Sequence, residues 1–210
     1  MHEIEKTLVR RATHTDIQEI VKIHQGAFPG FLMTLLGPSF LYAYYKTVLD
    51  HEGHIFLVAT DTKNKILGFV AGFATPEKFY QLLGSRKRKM MLSAAVHVAL
   101  RPYLWMRIFE NMSMVRQRSS VPSGAAEGSI ELASIGVDPT GGRRGHGKTL
   151  VNSFIEQAQH SSATVIDLTT DALNNDSVNR FYSNLGFLLT KTSERAGGRK
   201  MNHYRYEIKR

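Results

Sequence analysis

The chain has 210 residues, no cysteine and a formal net charge of +9. Without cysteine there is no disulfide, no thiol nucleophile and no cysteine-based metal centre, which fits a reducing compartment; 42% hydrophobic against 21% charged residues excludes disorder as a class. No apolar run approaches the ~20 residues of a membrane span, and the opening Met-His-Glu-Ile-Glu-Lys lacks the apolar core of a signal peptide, so a single cytoplasmic domain over residues 1–210 is expected.

Thr7 to Thr13 reads as a first strand. Thr15 offers an N-cap, with Asp16 in the first turn where the helix dipole favours a carboxylate. Ile17, Ile20, Val21, Ile23 and Ala27 then recur at helical spacing. Phe28-Pro29-Gly30 breaks that helix. Pro38 suits the first position of another, with Phe40, Leu41, Tyr44, Tyr45 and Val48 on its buried face. His54 to Thr60 and Ile66 to Ala74 are strands joined by a hairpin turn at 61–65. Gly68 and Gly72 in the second of them permit close approach of a neighbouring backbone. His51 and His54 lack a third ligand and the H-E-x-x-H frame, so they read as a solvated loop rather than a metal site.

The positive charge, which favours anionic partners, is concentrated in one segment. Nine basic residues fall between Pro76 and Ala126, against Glu77 and Glu110. Arg86-Lys-Arg-Lys89 precedes an apolar helical run, Met90 to Leu100. Pro102 ends that run and opens a further helix, whose Leu104, Ile108, Met112 and Val115 form a stripe. The segment reads as a covering helical layer or a substrate lid. A homodimer contact, or a basic patch at 86–118 on a membrane surface, ranks behind these.

Ser129 to Leu150 organises the rest. Ile130, Leu132 and Ile135 to Val137 are strand-like. Pro139, Gly141, Gly142, Gly145 and Gly147 forbid regular structure after them. From Lys148, Leu150, Val151, Phe154, Ile155 and Ala158 follow a helical period. A glycine-rich turn at a helix N-terminus aims backbone N–H groups outward, and Arg143, Arg144 and Lys148 add positive charge: a site for phosphate or pyrophosphate. Gly142 to Thr149 satisfies the P-loop pattern G-x-x-x-x-G-K-[ST], so a nucleotide-binding protein is one reading. Too little chain follows Thr149 for the parallel sheet of such a protein. Thr164 to Thr170 is a fifth strand. Asn175 or Asp176 caps a short helix that Gly186 ends. Phe187 to Thr192 and Met201 to Ile208 are the last strands, turning at Ala196 to Arg199.

Three stretches, in order, resemble the GNAT superfamily of acyl-CoA-dependent N-acetyltransferases. Arg10-Arg-Ala-Thr-His-Thr-Asp16 is similar to the family's R-x-A-T-x-x-D opening. Val137-Asp-Pro139 followed by Gly142-Arg-Arg-Gly-His-Gly147 is similar to its motif A, with Gly142 where Gln or Arg is usual. Asn175 to Phe187 is similar to N-x-x-A-x-x-x-Y-x-x-x-G-F, with Val178 in place of Ala. The resemblance implies an α/β GNAT fold: a mixed, mostly antiparallel sheet of six to seven strands flanked by helices, with a helical insertion (76–128) between strands three and four.

It also implies acetyl transfer from acetyl-CoA to a primary amine by direct attack. The apolar, aromatic N-terminal helices and the basic insertion put a small molecule or amino sugar first as acceptor, and with no nucleic-acid motif present no nucleic acid is expected as partner. By that resemblance Arg143, Arg144, Gly145, Gly147 and Lys148 hold the pyrophosphate. Ile135 and Val137 offer backbone to the pantetheine where strands four and five splay, and Asn175 offers a side-chain contact. Tyr182 matches the general acid and Glu131 a general base, with His203 as a second candidate base. Phe31, Met33 and Tyr45 would line the acceptor wall. A non-catalytic acyl-CoA sensor is the other alternative.

Overall fold

The computed structural model describes residues 7–99, 102, 128–141, 145–195 and 198–209. Among them, strands β1 (Leu8–Arg11), β2 (His54–Thr60), β3 (Ile66–Ala74), β4 (Ser129–Val137), β5 (Val165–Asp171), β6 (Leu188–Glu194) and β7 (Lys200–Glu207) form one sheet, ordered β1-β2-β3-β4-β5-β7-β6. Every neighbouring pair is antiparallel except β4 and β5, which run parallel. The helices are α1 (Ile17–Ala27), α2 (Leu32–Leu35), α3 (Pro38–Leu49), α4 (Pro76–Ala99), α5 (His146–Gln159) and α6 (Asp176–Asn184).

Strand alternation splits the apolar residues between two faces. On one face Phe56, Phe69 and Phe73 pack with Ile17, Ile20, Leu41, Tyr45 and Phe79 from α1, α3 and α4. On the other Leu57, Val70, Ile130 and Leu132 pack with Leu150, Val151 and Phe154 of α5, and with Tyr182 and Phe187. Each large side chain buried this way contributes about 1.5–3 kcal/mol.

The first turn explains the R-x-A-T-x-x-D opening. Arg10 grips Asp16 with two hydrogen bonds of 2.8 and 2.9 Å. The Thr13 N–H and hydroxyl donate to the same carboxylate at 2.7 and 2.9 Å. The Arg10 guanidinium, with the Thr13 donors adding to it, holds the Asp16 pKa below its ordinary value. The capping residue is therefore Thr13, which opens a 3-10 turn at His14–Asp16, and not Thr15.

The insertion begins as one continuous helix. α4 starts at Pro76, so Arg86 to Lys89 lie inside it rather than before it. Its Phe79 is fully buried and stacks on Phe73, ring centroids 3.8 Å apart. Met90 and Ala94 are buried too, and Arg86 reaches Asp50 of the α3 C-cap at 2.6 Å. This part is a packed layer. The expected second helix and its apolar stripe lie outside the described residues. Among the described residues no helix is long and apolar enough to cross a membrane.

His51 is not in a solvated loop. It is 6% exposed, its Nε2 is 3.0 Å from the Ala74 carbonyl, and it packs edge-on against Phe73 and Phe79. The role is structural: its neighbours are apolar rings and one main-chain acceptor.

Candidate active site

The site follows from where β4 and β5 part. Their parallel pairing covers Ser129↔Val165, Ile130↔Ile166 and Glu131↔Asp167. Beyond Glu131, β4 runs on to Val137 beside β3, and β5 runs on to Asp171 beside β7. The result is a fork whose inner strand edges carry main-chain groups without a strand partner among the described residues. Ile135 and Val137 lie on this free stretch, with side chains against the α5-face core.

A bulge sits at the vertex. Ala71 pairs with Ser134 but Gly72 with Leu132, so Ala133 is an extra residue in β4. Ala133 and Ser134 both turn to the α1–α3 face: Ala133 packs into that core and Ser134 bonds Tyr45. Gly72 stands opposite. A Cβ there would run into the Glu131 carbonyl and the Phe154 ring, so only glycine lets β3 follow the bulged strand.

At the fork's open end α5 begins with Gly145 in the left-handed region, φ 81°. Nothing crowds a Cβ at that position, so conformation demands the glycine, not space. The helix starts two residues before the periodicity predicts. Its first side chain, His146, is 4% exposed and its Nδ1 lies 3.0 Å from Thr7 Oγ1, which ties the turn to the start of the chain. First-turn N–H groups of a helix lack intrahelical acceptors. A Cβ at Gly147 would stand 3.7 Å from the Phe181 ring and Val137, ordinary contact, and Lys148 is exposed. Arg143 and Arg144 lie outside the described residues.

Asn175 precedes α6 but does not cap it with its side chain. Its amide N–H₂ donates to Thr170 Oγ1 at 2.9 Å and to the Asp171 carbonyl at 3.1 Å, fixing the turn after β5. Asn179, which the sequence did not single out, finishes that turn. It donates to the Asp171 and Asn175 carbonyls and accepts from Asn202 and the Tyr204 hydroxyl.

Tyr182 is 5% exposed, against Phe181, Phe187 and Tyr204. Burial pushes its phenol pKa well up, so at neutral pH it stays protonated. Glu131 lies on the opposite face at the vertex. Its Oε1 accepts from the Tyr80 hydroxyl of α4 at 2.8 Å. His203 is on β7, with Nε2 2.7 Å from Ser193 Oγ and Nδ1 3.4 Å from Thr169 Oγ1. It lies two strands from β4, whereas Glu131 is on β4 itself.

The face that Glu131 shares is walled by the α1–α2 loop and the β6–β7 end. Arg199 pairs with Asp171 through contacts of 2.5 and 2.6 Å and sits 5.5 Å above the exposed Phe31 ring. Met33 packs against the core beneath. Tyr45 is fully buried and lines no surface, contrary to the expectation; only its hydroxyl reaches β4, through Ser134. Two shallow surface depressions elsewhere, one beside Arg11 and His160 and one beside Lys22 and Tyr42, are lined by neither Glu131 nor Tyr182.

An open strand edge beside a left-handed glycine at a helix start fits a long ligand with an amide arm and a phosphate end. The P-loop reading fails on topology, because β4 is bounded by antiparallel β3 and leaves β5 after three residue pairs. Comparisons with known proteins agree. The sequence matches the acetyltransferase (GNAT) family model over residues 17–187. No curated protein sequence matches it. Similar solved folds include an N-acetyltransferase from Staphylococcus aureus Mu50 (TM-score 0.63, 16% identity, 97% of this chain and 99% of that one). Another is the ribosomal-protein-S18-alanine N-acetyltransferase of Escherichia coli (0.60, 14%, 98% and 96%). A third is Arabidopsis thaliana NAA60 in complex with acetyl-CoA (0.59, 16%, 97% and 99%). The chain therefore belongs to the GNAT acetyltransferase family, whose acetyl transfer uses acetyl-CoA as co-substrate.

Proposed function

We propose that the protein acetylates the primary amine of a small molecule or amino sugar by direct attack on the thioester. The observation that carries this reading is the β4–β5 fork with the Glu131 carboxylate at its vertex. α4 supports a small acceptor over an extended chain: its Tyr80 reaches Glu131 and closes one side of the approach.

Acetyl-CoA supplies the acyl group as an activated thioester. The free edge of β4 at Ile135 and Val137 pairs with its amide arm. Gly145, Gly147 and Lys148, with Arg143 and Arg144, hold its pyrophosphate. Asn175 spends its N–H₂ on the β5–α6 turn and keeps Oδ1 for the ligand. Glu131 takes the proton that the amine gives up as the C–N bond forms. Tyr182 donates one to the sulfur as the C–S bond breaks.

Thermal unfolding with acetyl-CoA, and separately with Mg-ATP, tests the binding half; a rise with acetyl-CoA alone is expected. Thiol release with glucosamine, putrescine and a peptide bearing a free N-terminal alanine tests the transfer half. Release with the first two is expected, and release with the peptide alone would overturn the acceptor class. Tyr182→Phe should lower kcat by about tenfold to a hundredfold with the acetyl-CoA-induced melting shift retained. An unchanged rate would remove Tyr182 from the chemistry. Binding without any turnover would indicate a sensor.

A further inference from the structure

Behind the vertex of the fork lies a buried polar chain that the mechanism above does not use. His24 of α1 is 5% exposed and Tyr45 of α3 is fully buried. The His24 Nδ1 is 2.6 Å from the Tyr45 hydroxyl, which is 3.1 Å from Ser134 Oγ on the β4 bulge. The rings of Phe28, Phe56, Phe69 and Tyr44 pack around them. The other imidazole nitrogen, Nε2, is buried without a hydrogen-bond partner among the described residues. An unpartnered buried nitrogen is costly. Phenylalanine at 24 and 45 would fill the same space more cheaply, so packing alone does not account for the chain.

The His24 tautomer sets the direction of the chain: with the imidazole proton on Nε2, Tyr45 donates to Nδ1 in the short contact. The Tyr45 oxygen then accepts the Ser134 proton. The serine hydroxyl, half-buried at the bulge, has its hydrogen committed inward and a lone pair left outward. It presents an acceptor, which suits an amine N–H and not a carbonyl oxygen. Ser134 also shares its face of β4 with Glu131, because the extra residue Ala133 restores Ser134 to that side.

We propose that Ser134 is a catalytic residue that accepts a hydrogen bond from the incoming amine and aims its lone pair at the acyl carbon, with Tyr45 and His24 as positioning residues that fix the serine's polarity. The inference rests on the acetyl-transfer reading and adds the group that orients the acceptor. Glu131 then removes one amine proton while Ser134 holds another.

The test uses the full chain with acetyl-CoA and whichever of glucosamine or putrescine the wild type turns over faster. Ser134→Ala should lower kcat/KM for the amine by about tenfold, the range of one neutral hydrogen bond, with KM for acetyl-CoA within about twofold. Tyr45→Phe should act in the same direction. The double variant should be no worse than Ser134→Ala alone, because Tyr45 works through the serine. Ser134→Thr, which keeps the hydroxyl, should recover most of the loss. Multiplying effects, an unchanged Ser134→Ala rate, or an equal rise in KM for acetyl-CoA would overturn the inference and leave acetyl transfer standing. Failure of every amine with the wild type, despite an acetyl-CoA-induced rise in melting temperature, would overturn both.

Discussion

The two faces of the sheet are built from similar apolar material but place their polar groups differently. On the α5 face most of the features are main-chain ones, the free edge of β4, Gly145 in the left-handed region and Gly147 against Val137 and Phe181, with the buried Tyr182 as the side chain among them. On the α1–α3 face they are side chains: Glu131 bonded to the exposed Tyr80, and His24, Tyr45 and Ser134 in series from the core to β4. The difference is chemical. On the proposed reading, the co-substrate shared by the family would be met mainly by backbone and glycine, and the acceptor by exchangeable side chains.

The comparison is broken most severely through Glu131. Glu131→Gln keeps an oxygen for Tyr80 and removes the base, so kcat should fall by about 10²–10⁴-fold with folding and acetyl-CoA binding intact. A loss below threefold would hand the proton to water or to His203. A second test is acid. Burial lowers the His24 pKa from 6.5 to about 4, so the unfolded chain binds the extra proton first as pH falls. The stability given by the neutral imidazole is whole above about pH 6.5 and is lost on the way down to about 4, on the order of 3 kcal/mol. Denaturant midpoints measured across that window should fall for the wild type and stay flatter for His24→Gln. Equal slopes would mean that His24 does not titrate there. The smallest effect sharpens the other face. Gly72→Ala places a methyl against the Glu131 carbonyl and Phe154 and should cost about 2 kcal/mol, read by urea unfolding.

Much of the α5 face was legible because its requirements are local. A strand, a left-handed glycine and a helix start within one stretch leave a spacing that can be read. For the same reason the opening motif before α1, on the other face, was legible: it encodes a carboxylate bonded within its own turn. Gly68 and Gly72 announced a close backbone. What stayed hidden depends on distant partners. Ser134 and Tyr45 are 89 positions apart, and no periodicity joins them. His51 looked like a loop residue because the aromatic rings that bury it come from β3 and α4. The start of α4 was misplaced because a run of four cations reads as a break, although charged residues on a helix's open face cost it little. Asn175 was expected to serve the ligand, and its amide is occupied first by the turn it stabilises.

The three-pair junction between β4 and β5 gives neighbouring amides of one strand different lifetimes in deuterated water. From Ser134 to Val137, beyond the bulge, N–H groups directed at β3 sit in a ladder and exchange only when it opens. Those directed into the fork meet no strand among the described residues and exchange from the native state. Acetyl-CoA lying along that edge would slow the second set and leave the first unchanged. The alternation would vanish at saturation, so a residue-by-residue exchange profile of β4 would measure occupancy of the fork directly.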